Sequence, residues 1–227
     1  MIEIDDAGSG SLVGGTGIGV MRVETGEYIF KIIPLVFFQH PYFSEKKYQE
    51  YVIKIIKLSF RRFGVSKTEP VSICRGYIFD ALRKWLEQEG YNWSSTKIEG
   101  MLQYRVEESF NDYVIRLGLP RNFIQHARYA FGFHRLLKWV FADYENRAKL
   151  CKSGWKSWNK WCQVPCTMVS THALKETYCL KCGKYIKKDE PVITIEYTTN
   201  RYWAIPLHTG CCPTRLPENY PQELQRL

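Results

Sequence analysis

The opening stretch, Met1 to Pro34, constrains the fold more than any other part of the chain. It reads MIEIDDAGSGSLVGGTGIGVMRVETGEYIFKIIP. Ile2 and Ile4 alternate with Glu3, the period of a half-buried strand. The pattern predicts a short first strand that closes on two adjacent carboxylates, Asp5 and Asp6. A glycine- and serine-rich turn from Ala7 to Gly17 follows. Two further strand-like runs, Gly17–Val23 and Glu27–Ile33, are divided by Thr25-Gly26, the signal of a hairpin. An acidic residue at the end of a first strand, backed by a hairpin, is placed to hold a metal ion or a phosphate.

Helical periodicity takes over from Phe43 to Phe63, where Tyr48, Val52, Ile55, Ile56 and Phe63 recur at helical spacing. Ser44 is the expected cap. Lys47 stands where a full capping box needs Glu or Gln, and Gly64 is the expected stop. Pro70–Cys74 reads as a buried strand, Tyr77–Glu89 as a second helix and Ser95–Glu99 as a further strand. A third helix is expected from about Met101 to Leu117, with an apolar stripe at Leu102, Val106, Phe110, Tyr113, Val114 and Leu117, ended by Gly118 and Pro120. The order is β-β-β-α-β-α-β-α. Strand–helix–strand connections of this length imply parallel neighbours. The expected fold class is therefore α/β (α+β): a mixed five-stranded sheet flanked by helices.

That order, with Asp6-Ala7-Gly8-Ser9 after the first strand, resembles the ribonuclease H-like superfamily of nucleases, resolvases, integrases and transposases. The resemblance covers residues 1–119. A basic helical segment, 120–168, and a zinc module, 169–227, are expected to follow. The actin and sugar-kinase superfamily shares the opening meander and an Asp-x-Gly phosphate loop, but needs two such domains in a longer chain.

The resemblance implies two divalent ions, Mg²⁺ or Mn²⁺, about 4 Å apart between carboxylates. Because Mg²⁺ takes oxygen ligands, several Asp or Glu residues must converge. Asp6 is the first choice, since its spacing to Gly8 matches Asp-x-Gly, and Asp5 is the second. Glu99 ends the fifth expected strand, and Glu107 borders the apolar stripe of the third helix at about 100° per residue. Glu108 and Asp112 face away from that stripe. Asp80 follows the fourth strand by one helical turn, and Glu45 or Glu50 could supply a first-helix carboxylate. The fourth strand ends in Cys74-Arg75 rather than Asp or Glu, a departure from the nuclease pattern.

The chain carries a net charge of +9 over 227 residues, with 15% aromatics, which favours a polyanionic partner. Between Arg121 and Trp161 the basic residues, among them Arg128, Arg135 and Lys138, are interleaved with aromatics. A helix is expected over Ala130–Ala142. Lys152, Trp155, Lys156, Trp158 and Lys160 form the least core-like run and are the candidate nucleic-acid contacts. His126 and His134 read as packed or exposed rather than catalytic. No apolar run is long enough for a membrane span, and the start lacks the basic patch and apolar core of a signal peptide, so a cytoplasmic location is expected.

Eight cysteines in such a chain point to metal rather than disulfides. Cys74 reads as a small buried residue. Cys179-Leu-Lys-Cys182-Gly183 is a zinc knuckle, and His208-Thr-Gly-Cys211 supplies the two remaining ligands across a hairpin, Glu190–Glu196 and Thr198–Ile205. A closed Cys₃His tetrahedron of this kind resembles treble-clef and LIM-type modules, with zinc in a structural role. Cys212 is an alternative to Cys211, and Cys162, Cys166 and His172 are candidates for part of a second site.

The first functional expectation is a nucleic-acid-processing protein that hydrolyses phosphodiesters with divalent metal. An alternative is a non-catalytic nucleic-acid-binding or adaptor protein on the same fold. A third is a phosphate or nucleotide binder using Gly8–Gly17, which lacks the Gly-Lys-Ser/Thr of a P-loop.

Overall fold

The computed structural model describes residues 1–125 and 131–217. His126 and Arg128 lie outside the described residues. The chain divides into two compact units. The first is Met1–Gly118 with Lys152–Gly154; the second is Leu119–Cys151 with the chain from Trp155 on.

The first unit is a mixed α/β structure. Its strands are β1 (Ile2–Ala7), β2 (Thr16–Arg22), β3 (Tyr28–Ile33), β4 (Val71–Cys74) and β5 (Trp93–Thr96). They form one sheet in the order β3-β2-β1-β4-β5. The first three pair antiparallel, whereas β1–β4 and β4–β5 are parallel. Helix α1 (Lys47–Phe63) connects β3 to β4, α2 (Asp80–Gln88) connects β4 to β5, and α3 (Met101–Arg116) follows β5. The five-stranded mixed sheet agrees with the expected fold class.

Strand alternation divides the packing. Ile2, Ile4, Ile18, Val20, Val71 and Ile73 share a core with Val52, Ile55 and Ile56 of α1 and Leu82 and Leu86 of α2. On the other face the positions opposite Asp5 and Ala7 are Gly19 and Gly17. A Cβ on Gly19 would lie 3.1 Å from Leu102 and Val106, so its missing side chain lets α3 approach β2 closely. Leu102, Val106, Phe110 and Val114 are buried as the stripe predicts. Each contributes about 2 kcal/mol by leaving water.

Three local expectations are corrected. The Ser44 hydroxyl donates to the Pro41 carbonyl at 2.6 Å inside the preceding turn. It therefore does not cap α1, which begins after Lys46 in the left-handed region. The first strand does not close on Asp5 and Asp6 but runs one residue further, because pairing with β2 continues to Ala7↔Gly17. The fifth strand is Trp93–Thr96, set by parallel pairing to the four residues of β4. Ile98 beyond it packs with Met21 and Leu102 instead.

The second unit contains α4 (Arg121–Gln125), α5 (Phe133–Phe141), α6 (Tyr144–Arg147) and α7 (Lys156–Trp161). Then come β6 (Cys166–His172), β7 (Thr177–Tyr178), β8 (Tyr185–Ile186), β9 (Pro191–Thr198) and β10 (Tyr202–His208). One antiparallel sheet has the order β10-β9-β6, and β7–β8 pair separately. The boundary expected at 168/169 falls inside this unit. Arg147 of α6 shows why: its guanidinium stacks 4.1 Å from the Trp139 ring and donates to the carbonyls of Trp139, Leu180 and Lys181 at 2.7–2.9 Å. The helices and the cysteine-bearing turn therefore share one buried cation. Among the described residues no helix is long and apolar enough to cross a membrane.

Candidate carboxylate and metal sites

In the first unit, a carboxylate oxygen of Asp5, one of Asp6 and the Cys74 sulfur all lie within 4.8 Å of one another. Parallel pairing of β1 to β4 brings Cys74 to this place. The Cys74 thiol donates to Asp5. Burial pushes the Asp5 carboxyl up to about 6, against the Cys74 bond and the Asp6 N–H, which donates at 2.9 Å; the negative charges of Asp6 and Glu107 raise it further. Burial likewise raises Cys74 to about 11, with the Asp5 hydrogen bond adding to it, so its proton stays on sulfur.

Asp6 is also raised by burial, opposed by hydrogen bonds from the Ser9 side chain and backbone and by the charge of Lys152. The turn that follows is fixed from several sides. Gly8 has φ of +80°, and a Cβ there would sit 2.0 Å from the Phe110 ring, so only glycine fits. The Gly15 N–H donates to the Tyr113 hydroxyl at 3.0 Å. The Lys152 ammonium donates to the Gly8 carbonyl at 2.6 Å and to Thr16 Oγ1 at 3.0 Å. Lys152 is 0% exposed. Burial lowers it to about 7, while the charge of Asp6 pulls the other way.

Lys152 is therefore not the surface phosphate contact that its sequence neighbourhood suggests. Of the other candidate contacts, Trp158 is buried and stacks on Tyr144, and Trp155 is half-buried. Only Lys156 and Lys160 are exposed. Large rings in a basic segment fold inward because the apolar area they remove from water outweighs any solvent contact. Glu99 is exposed beyond β5 and ion-paired with Lys97, away from the Asp5–Asp6 cluster. Glu107 is exposed on α3, accepts from Gln103 at 3.2 Å, and acts on Asp5 through its charge.

The second unit holds a compact Cys₃His cluster. The sulfurs of Cys179, Cys182 and Cys211 and a nitrogen of His208 lie within 4.8 Å of one another. The ligand edges of a zinc tetrahedron are about 3.5–3.8 Å, so the cluster matches a single ion with a small inward movement. Cys179 and Cys182 stand on the turn between β7 and β8, where Gly183 takes φ of +74° and its N–H donates to the Cys179 carbonyl at 2.8 Å. His208 ends β10, and Cys211 lies in the short turn after it.

His208 Nδ1 is 3.4 Å from the Cys182 sulfur, and Nε2 is 3.0 Å from the Tyr185 carbonyl. Nδ1 is thereby the nitrogen placed to ligate an ion in the cluster, with Nε2 turned to the backbone carbonyl, the support that metal-bound histidines need. Burial raises Cys182, but the Lys184 N–H and the facing Cys179, Cys211 and His208 bring it down to about 7. Such a thiol readily becomes a thiolate ligand. Cys212 is exposed and bonds toward Met168 and Pro213, so Cys211 is the fourth member of the cluster. Cys166 is buried with its thiol donating to the Val164 carbonyl, and His172 is exposed. With Cys162 they form no second cluster among the described residues.

The Cys₃His set could hold a metal such as zinc, and the pattern Cys-x₂-Cys with His-x₂-Cys was sufficient to find it. Sequence reasoning missed Cys74 as the neighbour of Asp5 and Lys152 as the neighbour of Asp6. Neither carries a local signal, since each is brought in by tertiary pairing.

No protein-family model matches this sequence, and no curated protein matches it.

Proposed function

We propose that this protein processes nucleic acid: a ribonuclease H-like first unit hydrolyses phosphodiesters with a divalent cation at Asp5 and Asp6, and a zinc-stabilised second unit accompanies it. The observation that carries this reading is the convergence of two carboxylates, Asp5 buried and Asp6 half-buried, on the central strand β1. The strand order β3-β2-β1-β4-β5 supports it, as does the net positive charge.

The donor set fits one cation better than two. Asp5 and Asp6 are hard oxygen donors held close together, and burial makes their charges costly without a counter-ion. Cys74 offers a protonated sulfur where a second hard oxygen would be needed. Lys152 already balances part of the charge on Asp6. A divalent cation would polarise a phosphoryl oxygen and acidify an attacking water. The chain's own part is positional. Asp5 presents a carboxylate held by Cys74 and the Asp6 N–H, Ser9 and Lys152 hold Asp6 and its loop, and Glu107 adds negative charge from α3.

A second reading is favoured by the same two residues. With Cys74 at the end of β4 and an ammonium beside Asp6, the unit would bind nucleic acid without cleaving it, as an adaptor. One experiment separates the two. Zinc-loaded protein is incubated with labelled single- and double-stranded DNA and RNA in Mg²⁺ or Mn²⁺, alongside Asp5→Asn and Asp6→Asn. Cleavage by the wild type that both variants lose while remaining folded supports the nuclease. Cleavage that survives in both removes Asp5 and Asp6 from the chemistry. Salt-sensitive binding with no cleavage at any metal concentration supports the adaptor.

A further inference from the structure

We propose that a cavity of about 700 Å³ in the second unit binds the phosphate of a nucleotide, held by Arg135, Lys138 and Arg201 beside Trp203. The inference does not depend on the Asp5–Asp6 pair being catalytic, since every residue in it belongs to the second unit.

Among the described residues, three cationic side chains and His134 line this cavity, and no carboxylate does. Like charges so arranged repel one another. Burial lowers Lys138, and the charges of Arg135, Lys175 and Arg201 lower it further. His134 is lowered by burial and then by Arg201. The local backbone adds to the penalty. His134 and Arg135 occupy the first turn of α5, which carries no acidic residue. The helix dipole there disfavours cations and favours an anion. Two buried polar atoms, His134 Nδ1 and Arg135 Nε, have no hydrogen-bond partner among the described residues. A phosphate would relieve the repulsion and complement the helix end together.

The lining points to a nucleotide rather than a bare anion. The cavity is in the range of small-ligand sites, far larger than a phosphate. Its walls include the rings of Phe133, Tyr178 and Trp203. The Arg201 guanidinium lies 3.9 Å from the Trp203 ring, and His134 stacks on that ring at 5.4 Å. Cations fixed on the Trp203 ring beside the exposed ring of Tyr178 suit a phosphate joined to a base. The phosphate could belong to a strand or to a free nucleotide.

The test uses the full chain loaded with zinc. Adenosine, adenosine 5′-monophosphate and a single strand of about twelve nucleotides are titrated by calorimetry at several salt concentrations. Lys138→Met and Arg201→Gln are compared with Lys187→Gln, whose side chain is exposed and not part of the cavity wall. Circular dichroism and zinc content verify folding. Each cavity variant should lose about tenfold in affinity and lower the salt dependence by about one ion, and Lys187→Gln should not. Those losses seen already with the mononucleotide identify a free nucleotide as ligand; seen only with the strand, they identify nucleic acid. Adenosine binding as tightly as its monophosphate, or both cavity variants retaining wild-type affinity and salt dependence, would overturn the proposal.

Discussion

The ammonium of Lys152 lies 2.6 Å from the carbonyl oxygen of Gly8, 144 positions away in sequence. It thereby fixes the turn that follows the two carboxylates of β1. A buried lysine in this position is held by hydrogen bonds and by Asp6, and it titrates where few lysines do.

Its titration gives a prediction about stability. Lys152 is lowered to about 7 in the folded protein, against about 10.4 in an unfolded chain. Between those values the unfolded chain carries a proton that the native one has released. The contribution of Lys152 to stability is therefore fully present above about pH 10.4 and is lost as pH falls through 7. Urea midpoints of the wild type should rise relative to Lys152→Met as pH goes from 7 to 9.5. Parallel profiles in the two proteins would show that Lys152 keeps an ordinary pKa.

Asp5 has the opposite sign. Burial raises it to about 6, above about 3.9 for a free aspartate. Its favourable contribution is complete below pH 3.9 and is lost as pH rises through 6. Asp5→Asn should thus be more stable than wild type at pH 7.5 by about 1–2 kcal/mol after allowance for solvent screening. The gain should vanish near pH 4. If Asp5 holds a divalent cation, millimolar Mn²⁺ should raise the wild-type midpoint and leave that of Asp5→Asn unchanged.

The Cys₃His cluster predicts one tightly held zinc per chain. Its removal by a chelator should lower the melting temperature of the second unit by on the order of 10 °C. Cys182→Ser and Cys211→Ser should each lose the ion, whereas Cys212→Ser should retain it. Elemental analysis of the purified variants decides this, and equal zinc in all three would reject the ligand assignment.

Gly8→Ala tests the packing of the loop against α3. The added Cβ would lie 2.0 Å from the Phe110 ring, at a φ of +80°. The expected cost is about 3 kcal/mol. Phe110→Ala alone should cost about 3–5 kcal/mol. The double variant should cost less than the sum, because removing the ring removes the clash. Simple additivity in denaturant unfolding would place Gly8 elsewhere.

Much of the architecture was legible in the chain itself. Alternation in residues 1–33, helical periodicity in α1 and α3, and Gly64 as a stop signal gave the mixed sheet and its flanking helices. Cys179, Cys182, His208 and Cys211 were legible as one site because a metal requires fixed ligand types at short spacing. Such signals are local: the period of a strand or helix is a property of the backbone, and a knuckle is six residues of turn.

What only the tertiary structure decided concerns residues whose role depends on distant partners. Lys152 sits in a run of exposed-looking lysines, yet it is buried because Gly8, Thr16 and Asp6 receive its charge. Cys74 meets Asp5 through the parallel register of β4, and Glu99 falls outside its strand because β4 is only four residues long. Arg147 makes one unit of helices and cysteine turn, which composition had separated. The sequence determines which segments become strand, helix and knuckle, since those follow from neighbouring residues. Whether a given charge is solvated or buried is settled by what long-range pairing places around it, because desolvation is tolerated only where hydrogen bonds or opposite charge offset it.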